Sequence, residues 1–261
     1  MDAPASKPPR AEFAGKVVVI TGGSAGIGRA IAGAFATAGA HAVIAGRDFE
    51  AARRAVDEIE RDANVSALAI QADVGIPEQC ERLIGEAAAH FGALDALVNN
   101  AAYFALVPLL DAEPEAARRF LDVNLLGPLH CARAAARRAI ERKHKLTIVN
   151  ISSIAAARPA PGCALYSASK AALDSLTRAM ALEWTGGGVR VNGVAPGHVS
   201  TPGVLADFAA GRLDRDAMIA RVPAGRIADG QDIAEVVLFL CSERSRHVVG
   251  QTVTVDGGEG M

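Results

Sequence analysis

Aromatic residues are scarce, at 4% of the 261 residues, so small and aliphatic side chains have to build the interior. An excess of charge of one sign is also missing. The formal net charge of −2 gives no electrostatic case for nucleic acid or an anionic membrane surface as a partner. The four cysteines, Cys80, Cys131, Cys163 and Cys241, lie far apart, with no CxxC and no clustered histidine. That spacing argues against a disulfide framework or a zinc site and fits a reducing cytoplasm; no metal is expected. No apolar run reaches ~18 residues, so a transmembrane helix is not expected. The opening stretch MDAPASKPPRAEF lacks an apolar segment of the secretory type, and Pro4, Pro8 and Pro9 make residues 1–14 read as a flexible tail. There is no internal repeat.

What is present is hydrophobic residue, 51% of the chain, in an alternating arrangement. KVVVIT (16–21) is a β-branched run of the kind buried on both faces of a sheet. A glycine-rich turn follows. Ile27, Ala30, Ile31, Ala34, Phe35 and Ala38 then recur on one helical face. Strands at 41–46, 66–71, 94–99, 146–151, 189–194 and 251–255 alternate with helices at 48–62, 77–91, 115–141, 164–184 and 231–242. This order predicts an α/β fold: one Rossmann-type domain over 15–261, with a doubly wound parallel β-sheet and helices on both faces. Residues 198–226 carry scattered Pro, Gly and charge and read as a substrate-binding lid.

Three stretches carry chemistry. TGGSAGIG (21–28) stands between the first strand and the first helix, with Gly22, Gly26 and Gly28 in G-x-x-x-G-x-G spacing. Glycines let a backbone approach a pyrophosphate, and the helix start offers unpaired N–H groups and a positive dipole end. Gly22, Ser24, Gly26, Ile27 and Gly28 are therefore expected cofactor contacts. The second strand ends on Gly46–Arg47 where many NAD sites place an acid. A guanidinium there suits a 2′-phosphate, so NADP(H) is favoured over NAD(H). In YSASK (166–170), Tyr166 and Lys170 are four apart and share one helix face beside the apolar stripe Leu173, Leu176 and Met180. A phenol of pKa about 10 is a poor base at neutral pH, and a neighbouring ammonium favours its ionised form. Ser153 can hydrogen-bond a developing alkoxide.

With TGGSAGIG, ADV (72–74), NNAA (99–102), DVNLLG (122–127), NISS (150–153), YSASK and PGHVST (196–201) in this order, the chain resembles the short-chain dehydrogenase/reductase family from Lys16 to Gly258. The resemblance implies a catalytic tetrad of Asn124, Ser153, Tyr166 and Lys170, with Asn124 ordering Lys170 through water. It implies adenine contacts at Asp73 and Val74, and a segment under the adenosine at Asn99 and Ala101. Tyr166, Lys170, Pro196, Gly197, Val199 and Thr201 would hold the nicotinamide half. Ala102 stands where the family usually has glycine. The implied activity is reversible hydride transfer between NADP(H) and a secondary alcohol/ketone pair, of hydroxy acid, sugar or 3-oxoacyl type. Arg158, Arg212 and Arg215 are candidates for favouring a polar or anionic substrate, and His198 reads as a lining or structural residue. A homo-oligomer, tetramer or dimer, is also implied. The alanines Ala132, Ala134, Ala135 and Ala136 would then permit close helix packing between subunits. The alternatives are an NAD(H)-dependent sugar or alcohol dehydrogenase, an epimerase or dehydratase on the same scaffold, and a non-catalytic dinucleotide sensor.

Overall fold

A computed structural model describes residues 12–261 of the chain. Residues 1–11, most of the expected tail, lie outside the described residues. Within the remainder of that tail, Phe13 is buried and packs edge-on against Phe35, ring centres 5.0 Å apart.

Seven strands form one parallel sheet: β1 (Val17–Thr21), β2 (His41–Gly46), β3 (Ala67–Gln71), β4 (Ala96–Asn99), β5 (Leu146–Ile151), β6 (Val189–Pro196) and β7 (Thr252–Val255). Their spatial order is β3-β2-β1-β4-β5-β6-β7. Every residue of β1 is buried because helices cover both faces. The two-residue period of the strand divides it between two cores. Val18 and Ile20 join α1 (Gly26–Thr37), α2 (Phe49–Ala63) and α9 (Gly230–Cys241) through Ile31, Phe35, Ile59 and Leu238. Val17 and Val19 join α3 (Pro77–Phe91), α5 (Gly127–Glu141) and α6 (Ala164–Trp184) through Leu83, Ile84, Ala135 and Met180. Each fully buried Ile, Leu or Phe in these layers contributes about 1.5–3 kcal/mol.

Local chemistry sets several helix ends. Asp48 caps α2 by accepting from the Ala51 N–H at 2.9 Å. Asp229 and Asp232 form a capping box at the start of α9.

The expected helix over 115–141 is not continuous. It divides into α4 (Pro114–Leu121), a π-helical turn at Asp122–Leu126, and α5. Pro128 has no N–H for the carbonyl of Asn124, four residues back, and the Gly127 N–H reaches the Asp122 carbonyl, five back. Periodicity alone cannot see this, because one residue of extra winding barely disturbs an Ala-rich pattern. The expected lid contains two short helices, α7 (Pro202–Ala209) and α8 (Arg215–Ile219).

The four alanines expected to serve subunit packing, Ala132, Ala134, Ala135 and Ala136, are buried in the chain's own core. They offer no surface to a second copy. Among the described residues, no helix is long and apolar enough to cross a membrane.

Candidate active site

Strand order reverses between β1 and β4, which opens a crevice at the carboxyl ends of the two strands. The turn after β1 fills it. Gly22 and Gly26 have φ of +64° and +55°. A Cβ on Gly28 would lie 2.2 Å from the Gly22 carbonyl oxygen and 2.5 Å from Asn100 Nδ2. The loop therefore closes on itself only without side chains. Helix α1 has Ala25 at its N-cap, so no side chain caps it, and its first turn carries no acid; its leading N–H groups remain open to an anion. Asn100 clips the turn from the other side. Its Nδ2 donates to the Thr21 and Gly22 carbonyls, both at 3.0 Å, while Thr21 Oγ1 accepts from the N–H groups of Asn100 and Ala101. Asn100 and Thr21 lie inside the quoted motifs, but the bonds between them span 79 residues and leave no periodic signal.

A cleft of about 500 Å³ next to this turn gathers Ser24, Arg47, Asp73, Val74, Ala101 and Arg119. Arg47 stands exposed at its rim, and Ala102 lines its edge. Burial pushes the Asp73 carboxyl up, but the Gly75 N–H, the Arg119 guanidinium at 3.1 Å and the charge of Arg47 outweigh it and hold the group below its usual value. Asn99 turns elsewhere: its amide donates to Asn150 Oδ1 at 2.9 Å inside the protein, so its side chain serves the interior. A larger groove of about 1000 Å³ runs along α1 and α9 and meets this region only near Gly26 and Thr201. It contains no Tyr166, so side-chain chemistry rather than volume locates the site.

Tyr166 sits in the first turn of α6, with Lys170 one turn on. Lys170 is buried; its Nζ donates to the Ile151 carbonyl at 2.7 Å and lies 5.7 Å from the centre of the Tyr166 ring. Burial pushes Lys170 down to about 8, opposed by the Asp174 carboxylate. Burial also pushes the Tyr166 phenol up, a shift that the hydrogen bond with Ser153 opposes and Cys163 reinforces. Ser153 ends β5's extension and caps a short turn, accepting from the Ala155 N–H at 3.1 Å. Tyr166, Lys170 and Ser153 are thus brought together.

Asn124 is fully buried on the π-helical turn, but its amide is committed. Oδ1 accepts from the Tyr103 N–H at 2.7 Å; Nδ2 donates to the Tyr103 carbonyl and to Ser169 Oγ. The group left for any link to Lys170 is the main-chain carbonyl that Pro128 cannot serve.

The stretch expected to hold the nicotinamide half, 196–201, borders the crevice. Gly197 N–H donates to the Val255 carbonyl at 3.0 Å, and Val199 bridges to Ala228. Thr201 caps α7, and its methyl group lies 3.3 Å from where a Cβ on Gly26 would be. The loop after β6 therefore meets the glycine turn, and Pro196 through Thr201 borders the same end of the sheet. Phe104 is exposed and stands edge-on to Tyr166, ring centres 5.1 Å apart, with Leu106 beside Gly162. Arg212 is paired with Asp207, while His198 is paired with Glu259; Arg158 and Arg215 are exposed.

A parallel sheet of this order with a glycine turn at its switch point and a Ser–Tyr–Lys cluster beside it defines a nicotinamide-dependent oxidoreductase. The comparisons agree. The profile of the family described as enoyl-(acyl carrier protein) reductase matches residues 22–259. Cis-4-hydroxycyclohexanecarboxylate dehydrogenase of Sinomonas cyclohexanicum is 39% identical over 250 residues, covering 94% of this chain and 97% of the relative. The 3beta-hydroxysteroid dehydrogenase 1 of Eggerthella lenta is 38% identical over 248 residues, 95% and 94% of the two chains. The crystal structure of a short-chain type dehydrogenase/reductase from Mycobacterium marinum superposes with a TM-score of 0.88 at 32% identity, covering 95% of this chain and 96% of that one. The chain belongs to the short-chain dehydrogenase/reductase family, and it is an oxidoreductase acting on CH–OH groups with NAD(P).

The residues fit that cofactor. The uncapped start of α1 and the turn that a Cβ at Gly28 would fill suit a pyrophosphate, and the adjoining cleft suits the adenosine half.

Proposed function

We propose that the protein interconverts a secondary alcohol and its ketone with NADP(H), and that Tyr166 moves the proton at the substrate oxygen. The carrying observation is the Tyr166 ring 5.7 Å from the Nζ of buried Lys170, with the Ser153 hydroxyl as the neighbour of its phenol. When bound, the nicotinamide supplies the hydride acceptor or donor. In reduction Tyr166 gives its proton to the carbonyl oxygen; in oxidation it takes the alcohol proton. Burial keeps the phenol protonated, which suits the acid. For the base, the Ser153 hydrogen bond opposes that burial, and an ammonium placed beside a phenol favours its ionised form. Ser153 orients the substrate oxygen, and Asn124 contributes to a relay through its main-chain carbonyl.

The NADP(H) preference rests on Arg47 at the cleft rim and on Asp48, whose carboxylate is engaged as the cap of α2. The substrate body is apolar. The Phe104 ring stands against Tyr166 and Leu106 packs beside Gly162, four residues before it, whereas Arg212 already has a carboxylate partner. The names of the two relatives above carry ring alcohols, the same class as the substrate proposed here. A homo-oligomer in the cytoplasm completes this reading; the apolar residues left exposed for such a contact include Leu126 and Leu182.

Titration with NADPH and NADH, then nicotinamide absorbance across alicyclic ketones, sugars and hydroxy acids, tests this function. NADPH should bind more tightly and alicyclic ketones should turn over best. Arg47→Ala should weaken NADPH binding about 10–100-fold with little change for NADH, the size of lost charge-assisted hydrogen bonds. Equal losses would remove Arg47 as the 2′-phosphate reader. Tyr166→Phe should bind cofactor normally and lose about 10²–10⁴-fold in turnover. Full activity in that variant would refute the proposed acid.

A further inference from the structure

The side chain of Glu259, two residues before Met261, is 2% exposed and its carboxylate has two cationic or N–H-bearing partners from different segments. His198 Nδ1 lies 2.7 Å from Oε1 and 2.9 Å from Oε2, and the His198 backbone N–H donates to Oε2 at 3.3 Å. Arg221 Nη2 lies 3.3 Å from Oε1. His198 directly follows Gly197 on the nicotinamide-side loop. Arg221 lies just past α8, at the far end of the lid segment. The local backbone holds Glu259 in place: Asp256 accepts from the N–H groups of Gly258 at 2.9 Å and Gly260 at 2.6 Å. The Ala224 N–H, also in the lid segment, donates to the Gly257 carbonyl at 2.9 Å. A Cβ on Gly260 would touch Ile154, the residue after Ser153, at 3.9 Å. One short strap therefore contacts the serine loop, the nicotinamide-side loop and the lid.

We propose that Glu259 is a positioning residue that acts through His198 and Arg221 to dock the 198–226 segment over the site. A buried carboxylate needs both partners, because an unpaired charge at that depth is strongly unfavourable. In this pairing the His198 ring meets the carboxylate through Nδ1, with both carboxylate oxygens within 2.9 Å. The docking is a property of the chain alone; its consequence for catalysis rests on the oxidoreductase reading above.

Trypsin digestion of the cofactor-free protein measures the docking, since cleavage tracks the open population. Arg221→Ala alters an exposed side chain, so it carries the test even if Glu259→Gln fails to fold. Cleavage after Arg212 and Arg215 should rise about tenfold in Arg221→Ala, and to a similar extent in Glu259→Gln. The double variant should stay within about twofold of either single one, as expected for residues that act as one unit. The thermal midpoint of Arg221→Ala should fall by no more than about 5 °C, the shift that a tenfold opening implies, so that the variant remains folded. Unchanged cleavage after both sites, or losses that multiply in the double variant, would overturn the proposal. On a ketone that is turned over, Arg221→Ala should raise KM about fivefold and leave kcat within about twofold. A fall in kcat at constant KM would count against positioning. If no ketone is reduced, the proposed function fails, while the cleavage result still decides the docking.

Discussion

At Lys170, burial and charge pull against each other. Removing the ammonium from water lowers its pKa to about 8, and the Asp174 carboxylate resists. The group still carries its proton at neutral pH, so it can act on the Tyr166 phenol. The shift has a sign in stability. Between pH 8 and the unfolded value near 10.5, the unfolded chain binds more protons than the folded one, so this group makes stability rise with pH across that window. Full relief amounts to about 3 kcal/mol. Tyr166 acts in the opposite direction above its usual value of 10, because burial raises its folded pKa. Denaturant unfolding of the cofactor-free protein and of Lys170→Met from pH 7.5 to 10 should show the unaltered protein gaining on the variant as pH rises. Parallel curves would mean that Lys170 is not penalised by burial. The spacing of YSASK made the Tyr–Lys pair readable, because a helix puts i and i+4 on one face. The commitment of the Asn124 amide to Tyr103 was not readable, since nothing local links residues 21 apart.

Among the elements, the turn from β1 into α1 and the break between α4 and α5 position the site. Both depend on close approach of backbone. At Gly28 an added methyl would lie 2.2 Å from the Gly22 carbonyl oxygen, so Gly28→Ala must push the turn apart. The expected result is a stability loss of about 1–3 kcal/mol from overpacking and at least a tenfold loss in cofactor affinity. Chemical denaturation and fluorescence titration check the two parts; unchanged affinity would show that the turn does not cradle the cofactor. The break is built similarly. A Cβ on Gly127 would lie 2.8 Å from the Val74 carbonyl oxygen, and Pro128 follows with no N–H. Both residues are visible in DVNLLGP. Their joint effect, an added residue of winding that delivers Asn124 to Tyr103 and Ser169, depends on contact with β3's outgoing loop.

For the whole molecule, strands β1 to β6 contribute side chains to both cores, which couples them. Val18 and Val19 are neighbours in sequence and belong to opposite layers. One cooperative thermal transition is therefore expected, with circular dichroism and calorimetry coincident. NADPH at 100 times its dissociation constant should add about 2.7 kcal/mol of stability and move that single transition upward. Two separated transitions would contradict the single-domain organisation proposed from the sequence. The same coupling explains why the alanines of α5 face inward. A helix lying flat on a sheet needs small residues where it comes closest, and Ala132, Ala135 and Ala136 meet that need within one chain.

The sequence by itself determined the alternation of strands and helices, the parallel sheet they imply, the glycine turn, and the Tyr–Lys face. These depend on short repeats of 2 and 3.6 residues and on motifs that lie within one element. Only the tertiary structure decided that Asn100 clips the turn, that Asn99 serves the interior, that Arg119 holds Asp73, and that Glu259 joins His198 to Arg221. Each of these is a contact between segments distant in the chain, set by packing rather than by any local pattern. The contact of Phe104 with Tyr166 became legible for the same reason: only the fold brings the two rings together.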